Sequence, residues 1–209
     1  MSSVSVNRDL HVVVLMGGWS SEREVSLMSG KGVAQALRER GWSHVTEVDM
    51  DRNVARVLEE LRPDIVFNAL HGHPGEDGTV QGMLDLMGIP YTHSGLSTSA
   101  IAIDKELTKL LLVPAGVRMP KGTMVRSESL FKGDPLPRPY VLKPVNEGSS
   151  VGVAIVTDES NYGNPIARDS KGPWNDFDEL LAEPFVAGHE LTVAVDKMPD
   201  LPLSIGPGD

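Results

Sequence analysis

The stretch Tyr140-Val141-Leu142-Lys143-Pro144-Val145-Asn146-Glu147-Gly148-Ser149-Ser150-Val151-Gly152-Val153-Ala154-Ile155 is the part of the chain on which a reading of its fold turns. An apolar run ends in Lys143-Pro144, a six-residue link rich in Gly and Ser follows, and Val151, Val153 and Ile155 then alternate. This predicts two strands joined by a tight loop. Such a loop can hold phosphate. Gly148 admits close approach of an anion, Ser149 and Ser150 add hydroxyls to the main-chain N–H donors, and Lys143 stands at the strand end as a compact positive charge. A plain Gly-Ser hairpin beside an incidental lysine has the same composition. The loop is neither a Walker sequence nor a dinucleotide fingerprint, so its neighbours must decide.

Upstream, Thr123 to Val125 predicts a strand and Ser127 to Phe131 a short helix, followed by a loop stiffened by Pro135, Pro137 and Pro139. Downstream, Asp158 to Asn175 is dense in Asp, Ser, Asn, Gly and Pro, which predicts a mobile surface loop. Asn175 can cap a helix over Phe177, Leu180 and Leu181. Glu183-Pro184-Phe185-Val186 and Gly188 come next, and Glu190 to Val195 alternates as a strand.

The first hundred residues have a different rhythm. His11 to Met16 is a short apolar run that empties into Gly17-Gly18, as a buried parallel strand would. Ser21 and Glu24 have capping-box spacing for a helix whose apolar positions are Val25, Met28, Gly32, Val33, Ala36 and Leu37, stopped by Gly41. A strand at Val45 to Val48, a helix with Val54, Val57, Leu58 and Leu61 on one face, and an apolar run from Ile65 to Leu70 complete the series. The alternation predicts an open parallel sheet with ligands beyond the carboxyl ends of its strands. A helix with Val80, Met83, Leu84 and Met87 inward ends at Gly88. After a polar turn at Tyr91 to Gly95, another helix runs from Ile101 to Leu112, and Ala115 to Gly122 reads as a linker.

Composition narrows the chemistry. With no cysteine among its 209 residues, the chain excludes disulfides, thiolate metal sites and a cysteine nucleophile. A net charge of −10 argues against nucleic acid or an anionic membrane as the main partner, so a phosphate ligand must be held by particular lysines and backbone donors. The absence of a long apolar run or a signal-peptide core predicts a cytoplasmic protein. No internal repeat is present.

Two Gly-rich turns stand at the predicted sheet edge: Gly17-Gly18-Trp19-Ser20-Ser21-Glu22-Arg23-Glu24 and His71-Gly72-His73-Pro74-Gly75-Glu76-Asp77-Gly78. Either could be a turn before a helix, with Glu22 and Glu24 favoured by the helix dipole. Glu22 could equally hold an ammonium group and His71 a carboxylate, a pairing that suits an amino acid. His71, His73, Glu76 and Asp77 also offer metal-ligand chemistry, but without fixed helical spacing. Lys105, taken alone, reads as a surface lysine on a helix.

In this order, the motifs resemble the D-alanine–D-alanine ligases of the ATP-grasp group. The resemblance rests on Gly17-Gly18-x-Ser-x-Glu-Arg-Glu-Val-Ser, Leu70-His71-Gly72 with Gly75 to Gly82, Asp104-Lys105, Lys143-Pro144 with Glu147 to Gly152, and Glu183 with Glu190 to Val193. It implies an α/β fold: a Rossmann-like pre-ATP-grasp domain over residues 1–104, the central part of an ATP-grasp nucleotide-binding domain over 105–195, and a tail, 196–209, without counterpart. By the same resemblance Glu22 and Ser149 are catalytic. Glu22 binds the ammonium of the first D-alanine, His71 lies beside its carboxylate, and Ser149 helps to fix Glu22. Gly148, Ser149 and Ser150 fold over the ATP phosphates, Lys105 and Lys143 contact phosphate oxygens, Glu183, Phe185 and Val186 line the adenine slot, and Glu190 holds the ribose hydroxyls.

The implied activity joins two D-alanine molecules through an acyl phosphate, using ATP with magnesium or manganese, for peptidoglycan precursors, in a homodimer. The family's magnesium ligands and closing loop have no counterpart before residue 209. Two alternatives follow: a non-catalytic fragment that binds nucleotide or amino acid, and a ligase that takes D-lactate as acceptor.

Overall fold

The structure, a computed structural model, describes residues 7–191. Strand β1 (His11–Gly17) is flanked on both sides by parallel partners, β2 (His44–Met50) and β3 (Ile65–Asn68), in the order β2-β1-β3. Val12 to Gly17 are all buried, because helices cover both faces of this central strand. On one face, α2 (Val54–Leu61) and α3 (Thr79–Met87) bring Val54, Leu58, Val80 and Leu84 against Val13, Leu15 and Val66. On the other, α1 (Arg23–Glu39) brings Ala34, Val33 and Leu37 against Val12 and Val14. Tyr91 extends the sheet only as an isolated parallel bridge to Val66.

Helix α1 differs from expectation in both register and cap. Its buried positions are Ser26, Gly30 and Ala34, whereas Val25 and Met28 face outward. The small face wins because the helix lies very close to β1: a Cβ on Gly30 would stand 2.5 Å from the Met16 Cβ. Ser26 is buried without penalty, since its hydroxyl accepts from the Gly17 N–H and donates to the Ala69 carbonyl, both at 2.8 Å. The capping box of Ser21 and Glu24 does not form. Glu22 is the N-cap and makes no side-chain cap bond, and Ser20 accepts from the Glu22 N–H instead.

The helix expected from Ile101 to Leu112 is two: α4 (Leu96–Ile103) and α5 (Lys105–Leu112). Asp104, in extended conformation, breaks them and caps α5 by accepting from the Glu106 and Leu107 N–H groups.

A second sheet contains β4 (Thr123–Arg126), β5 (Tyr140–Lys143), β6 (Ala154–Val156) and β7 (Glu179–Pro184), antiparallel in the order β4-β7-β5-β6; a single turn of helix, α6 (Ser127–Leu130), follows β4. The segment expected to be a helix over Phe177 to Leu181 leads instead into a strand: a 3-10 turn, Pro173–Asn175, precedes it and β7 begins at Glu179. Leu180 to Glu183 are buried in succession because β7 lies between β4 and β5, and such a run has no period to separate strand from helix. Residues 158–175 are not simply a surface loop. Ile166 and Trp174 enter the core with Tyr140, Leu142 and Val156, and Tyr162 meets Trp174 edge to face with ring centroids 5.0 Å apart.

Arg138 ties this segment down, donating to the carbonyls of Thr157 (3.0 Å) and Gly163 (2.6 Å) and to Asp134 (2.7 Å). Strand β6 begins at Ala154 rather than Val151, so the link from β5 is longer than six residues. Glu190 and Leu191 are not in a strand; the rest of the strand expected to Val195, and the tail 196–209, lie outside the described residues.

Replacing Gly30 by Ala should destabilise the protein by about 1–3 kcal/mol, as expected for overpacking at a fixed backbone, and urea unfolding measures it directly. A second expectation concerns Asp134, whose carboxyl the Arg138 guanidinium holds below the usual range although burial opposes this. Because the folded value lies below the unfolded one, its contribution is present at neutral pH and is lost as pH falls through the folded value. Asp134→Asn should therefore cost about 2 kcal/mol at pH 7, with the gap to the parent protein closing as pH drops below about 4.

Candidate active site

The carboxyl end of β5 and the link to β6 form one wall of a cleft of ≈ 470 Å³. Every residue expected to meet nucleotide lines it: Lys105, Lys143, Gly148, Ser149, Ser150, Glu183, Phe185, Val186 and Glu190. Strand pairing explains part of this. Val141 on β5 is opposite both Ile155 and Glu183, which brings its two neighbouring strands, β6 and β7, to one floor. Val153, Ile155 and Phe185 remain 40–45% exposed there, so the floor is apolar and open, as suits a flat aromatic ring.

The charged end is built around Glu183. Its carboxylate, 7% exposed, receives Lys143 Nζ at 2.5 Å on Oε2 and Lys109 Nζ on Oε1. Burial alone would raise the Glu183 pKa, but hydrogen bonds from Lys109 and Lys143 reverse the sign and hold it below the usual range. Lys105 is no surface lysine. Its ammonium donates to the carbonyls of Val145 (3.1 Å) and Glu147 (2.6 Å), and burial, with Lys143 nearby, lowers its pKa. Sequence reasoning assigned Lys109 no part; its position four residues after Lys105, one turn along α5, was the available signal.

The loop over this cleft is a tight turn closed by the Val151 N–H on the Gly148 carbonyl. Ser149 (φ +46°) and Ser150 (φ +61°) both occupy the left-handed region. The turn reaches the first sheet: a Cβ on Gly148 would lie 3.8 Å from Oε2 of both Glu22 and Glu76.

Glu22 sits at the start of α1 beside the His71-Gly72 turn, 6% exposed, and its Oε2 has no hydrogen-bond partner. A buried carboxylate oxygen without a donor is costly, and an ammonium group is the ligand that would satisfy it. His71 is half-buried with Nε2 3.2 Å from the Ser29 hydroxyl, and its carbonyl accepts from Ser20. Ser149 is brought close through Gly148 but does not bond Glu22 Oε2. Glu76, which received no substrate role, accepts from the Gly72 N–H at 2.9 Å. Asn68 and Gln81 both donate to the Gly75 carbonyl and set the turn's shape.

His71, His73, Glu76 and Asp77 do not converge. His73 pairs with Asp77, while His71 turns to Ser29. Among the described residues, no group of three His, Asp or Glu side chains is placed to hold a metal ion.

Residues 47–94 match the family model described as D-ala D-ala ligase N-terminus. The chain is 73% identical over 192 residues to a D-alanine--D-alanine ligase of Erythrobacter litoralis, covering 92% of this chain and 59% of the relative. It is 77% identical over 185 residues to one of Sphingopyxis alaskensis, covering 88% and 60%. Among solved structures, D-alanine--D-alanine ligase from Bacillus anthracis superposes with a TM-score of 0.67 at 30% identity, over 86% of this chain and 58% of that one. The same Bacillus anthracis enzyme complexed with ATP gives 0.65 at 27% identity, over 86% and 60%. The chain thus spans about three-fifths of the length of the relatives it matches.

Lys105 should be the tether of the Gly148 turn. In Lys105→Met, amide hydrogen exchange at Val145 to Val151 should quicken by about tenfold, as expected when about 1.4 kcal/mol of local protection is lost, with exchange in β1 unchanged.

Proposed function

We propose that this chain, a relative of the D-alanine–D-alanine ligases over about nine-tenths of its own length, supplies the ATP-gripping and first-substrate parts of such a ligase. One observation carries the reading: the unpartnered, buried Glu22 Oε2 lies under the same Gly148 turn that roofs the lysine-lined cleft. An amino acid held by its ammonium on Glu22, with His71 toward its carboxylate, would stand next to a triphosphate held by Lys105, Lys143 and the N–H groups of Gly148 to Ser150.

A carboxylate is a poor electrophile, and the proposed chemistry answers that. A carboxylate oxygen of the first D-alanine attacks the terminal phosphorus of ATP, the bond to ADP breaks, and an acyl phosphate forms. The amine of the second D-alanine then attacks the acyl carbon, phosphate leaves with the C–O electrons, and the amine gives up a proton as the amide forms. This chain's residues position the reactants and meet developing negative charge with fixed cations and N–H donors. A divalent cation is proposed to arrive with the triphosphate.

In this reading Glu183, Phe185 and Val186 border the adenine and Glu190 the ribose. Residues 1–104 form the substrate domain and 105–195 the nucleotide domain, Asp104 being the break between them. A cytoplasmic location and a homodimer complete the proposal; no helix among the described residues is long and apolar enough to cross a membrane.

The second reading is a module that binds nucleotide or amino acid without turnover. Phosphate release from the 209-residue protein with ATP, magnesium and D-alanine separates the two. D-alanine-dependent release above that of Lys143→Ala establishes ligation, and product analysis with D-lactate added identifies the acceptor. Binding without release establishes the module. Glu22→Gln should weaken D-alanine binding by about 10- to 100-fold, the worth of a charge-assisted hydrogen bond, while changing ATP binding less than about threefold. Equal loss of both would remove Glu22 from the substrate site.

A further inference from the structure

Glu183 has two oxygens and two lysines, and the lysines differ in what else they can do. Lys143, at the end of β5, lines the cleft and keeps a quarter of its side chain exposed. Lys109 lies behind, 15% exposed, lining a smaller cavity of ≈ 200 Å³ with Lys105, Lys143 and Glu183. Its ammonium also donates to the Pro120 carbonyl at 3.0 Å, so it is anchored to the link before β4. The backbone is fitted around this pair: a Cβ on Gly122 would come within 2.7 Å of Lys109 Nζ and 3.1 Å of Glu183 Cγ.

We propose that Lys109 is a positioning residue that pins Glu183 as the acceptor for the nucleotide base, so that Lys143 can leave Glu183 for phosphate without the carboxylate following. The inference rests on the ATP reading above. A triphosphate entering the cleft competes with Glu183 for Lys143, a mobile ammonium on a flexible stem. Once Lys143 moves, Oε2 is free and faces the cleft, while Lys109 keeps Oε1, the side-chain rotamer and the ionised state. An ionised carboxylate accepts hydrogen bonds and cannot donate them. It therefore favours the exocyclic amine of adenine over the carbonyl at the same place in guanine. Without Lys109, the same burial leaves Glu183 either trailing Lys143 or neutral, and a neutral carboxyl can donate to guanine as readily as it accepts from adenine.

The test compares equilibrium binding of ATP, GTP and inorganic tripolyphosphate by the 209-residue protein, using calorimetry. In Lys109→Met, ATP affinity should fall by about tenfold, with GTP and tripolyphosphate changing less than about threefold. Lys109→Arg should restore most of the ATP preference, and Lys109→Met should add nothing in a Glu183→Gln background. Lys109→Gln, which keeps a polar side chain but no charge, should also lower the ATP-to-GTP ratio and carries the test if Lys109→Met does not fold. An unchanged ratio in the folded variants, or parallel loss of ATP and tripolyphosphate, overturns the role of Lys109 alone. Failure of the parent protein to bind ATP overturns the ligase reading and this inference with it.

Discussion

The hydroxyl of Ser26 holds three parts of the molecule at one point. By accepting from Gly17 at the end of β1 and donating to Ala69 just past β3, it locks α1 to both adjacent strand ends. The close approach that makes this possible is allowed by Gly30 and Ala34 on the same face. What depends on it is Glu22, one turn earlier. Its carboxylate is held at the sheet's carboxyl edge by the helix it begins, rather than by partners of its own. A site built this way can keep an oxygen without a donor, because the cost of doing so is spread over a packed helix.

The second sheet solves the opposite problem. In a protein of net charge −10, the three ammonium groups of Lys105, Lys109 and Lys143 are gathered around one carboxylate and the carbonyls of Val145, Glu147 and Pro120. Without those acceptors the three ammonium groups would repel one another in a partly buried cleft. Glu183 is thus part of the cation cluster as well as a wall of the cleft, and its depressed pKa reflects the first role.

Much of this was legible in the residues. β1 and β3 are announced by continuous apolar runs, and α2 and α3 by their period. Cleft residues were found by motif, since Lys143 and Gly148 to Ser150 are close in sequence. The failures share a cause. α1 buries small residues where its sequence offers larger apolar ones, because backbone proximity, not hydrophobicity, decides a helix that touches its strand. β7 has no visible period because it is covered on both faces. Trp174 and Ile166 are core residues in a segment whose composition is that of a loop. Lys109 lies 74 residues from Glu183, and only the fold brings them together.

The turn at Ser149 and Ser150 shows why the two halves need different mechanics. Each left-handed non-glycine residue costs roughly 1–2 kcal/mol, and glycine at either position would avoid it. Glycine would also remove a hydroxyl donor from the lining of the cleft. The chain keeps both serines and places glycine at 152, where φ is +66° and a Cβ would strike Pro144 and Phe177. Within this turn the left-handed non-glycine residues are thus the two serines that line the cleft. Lys105 and the Val151 to Gly148 hydrogen bond supply the tether that lets such a turn persist between the buried Glu22 carboxylate and the open cleft.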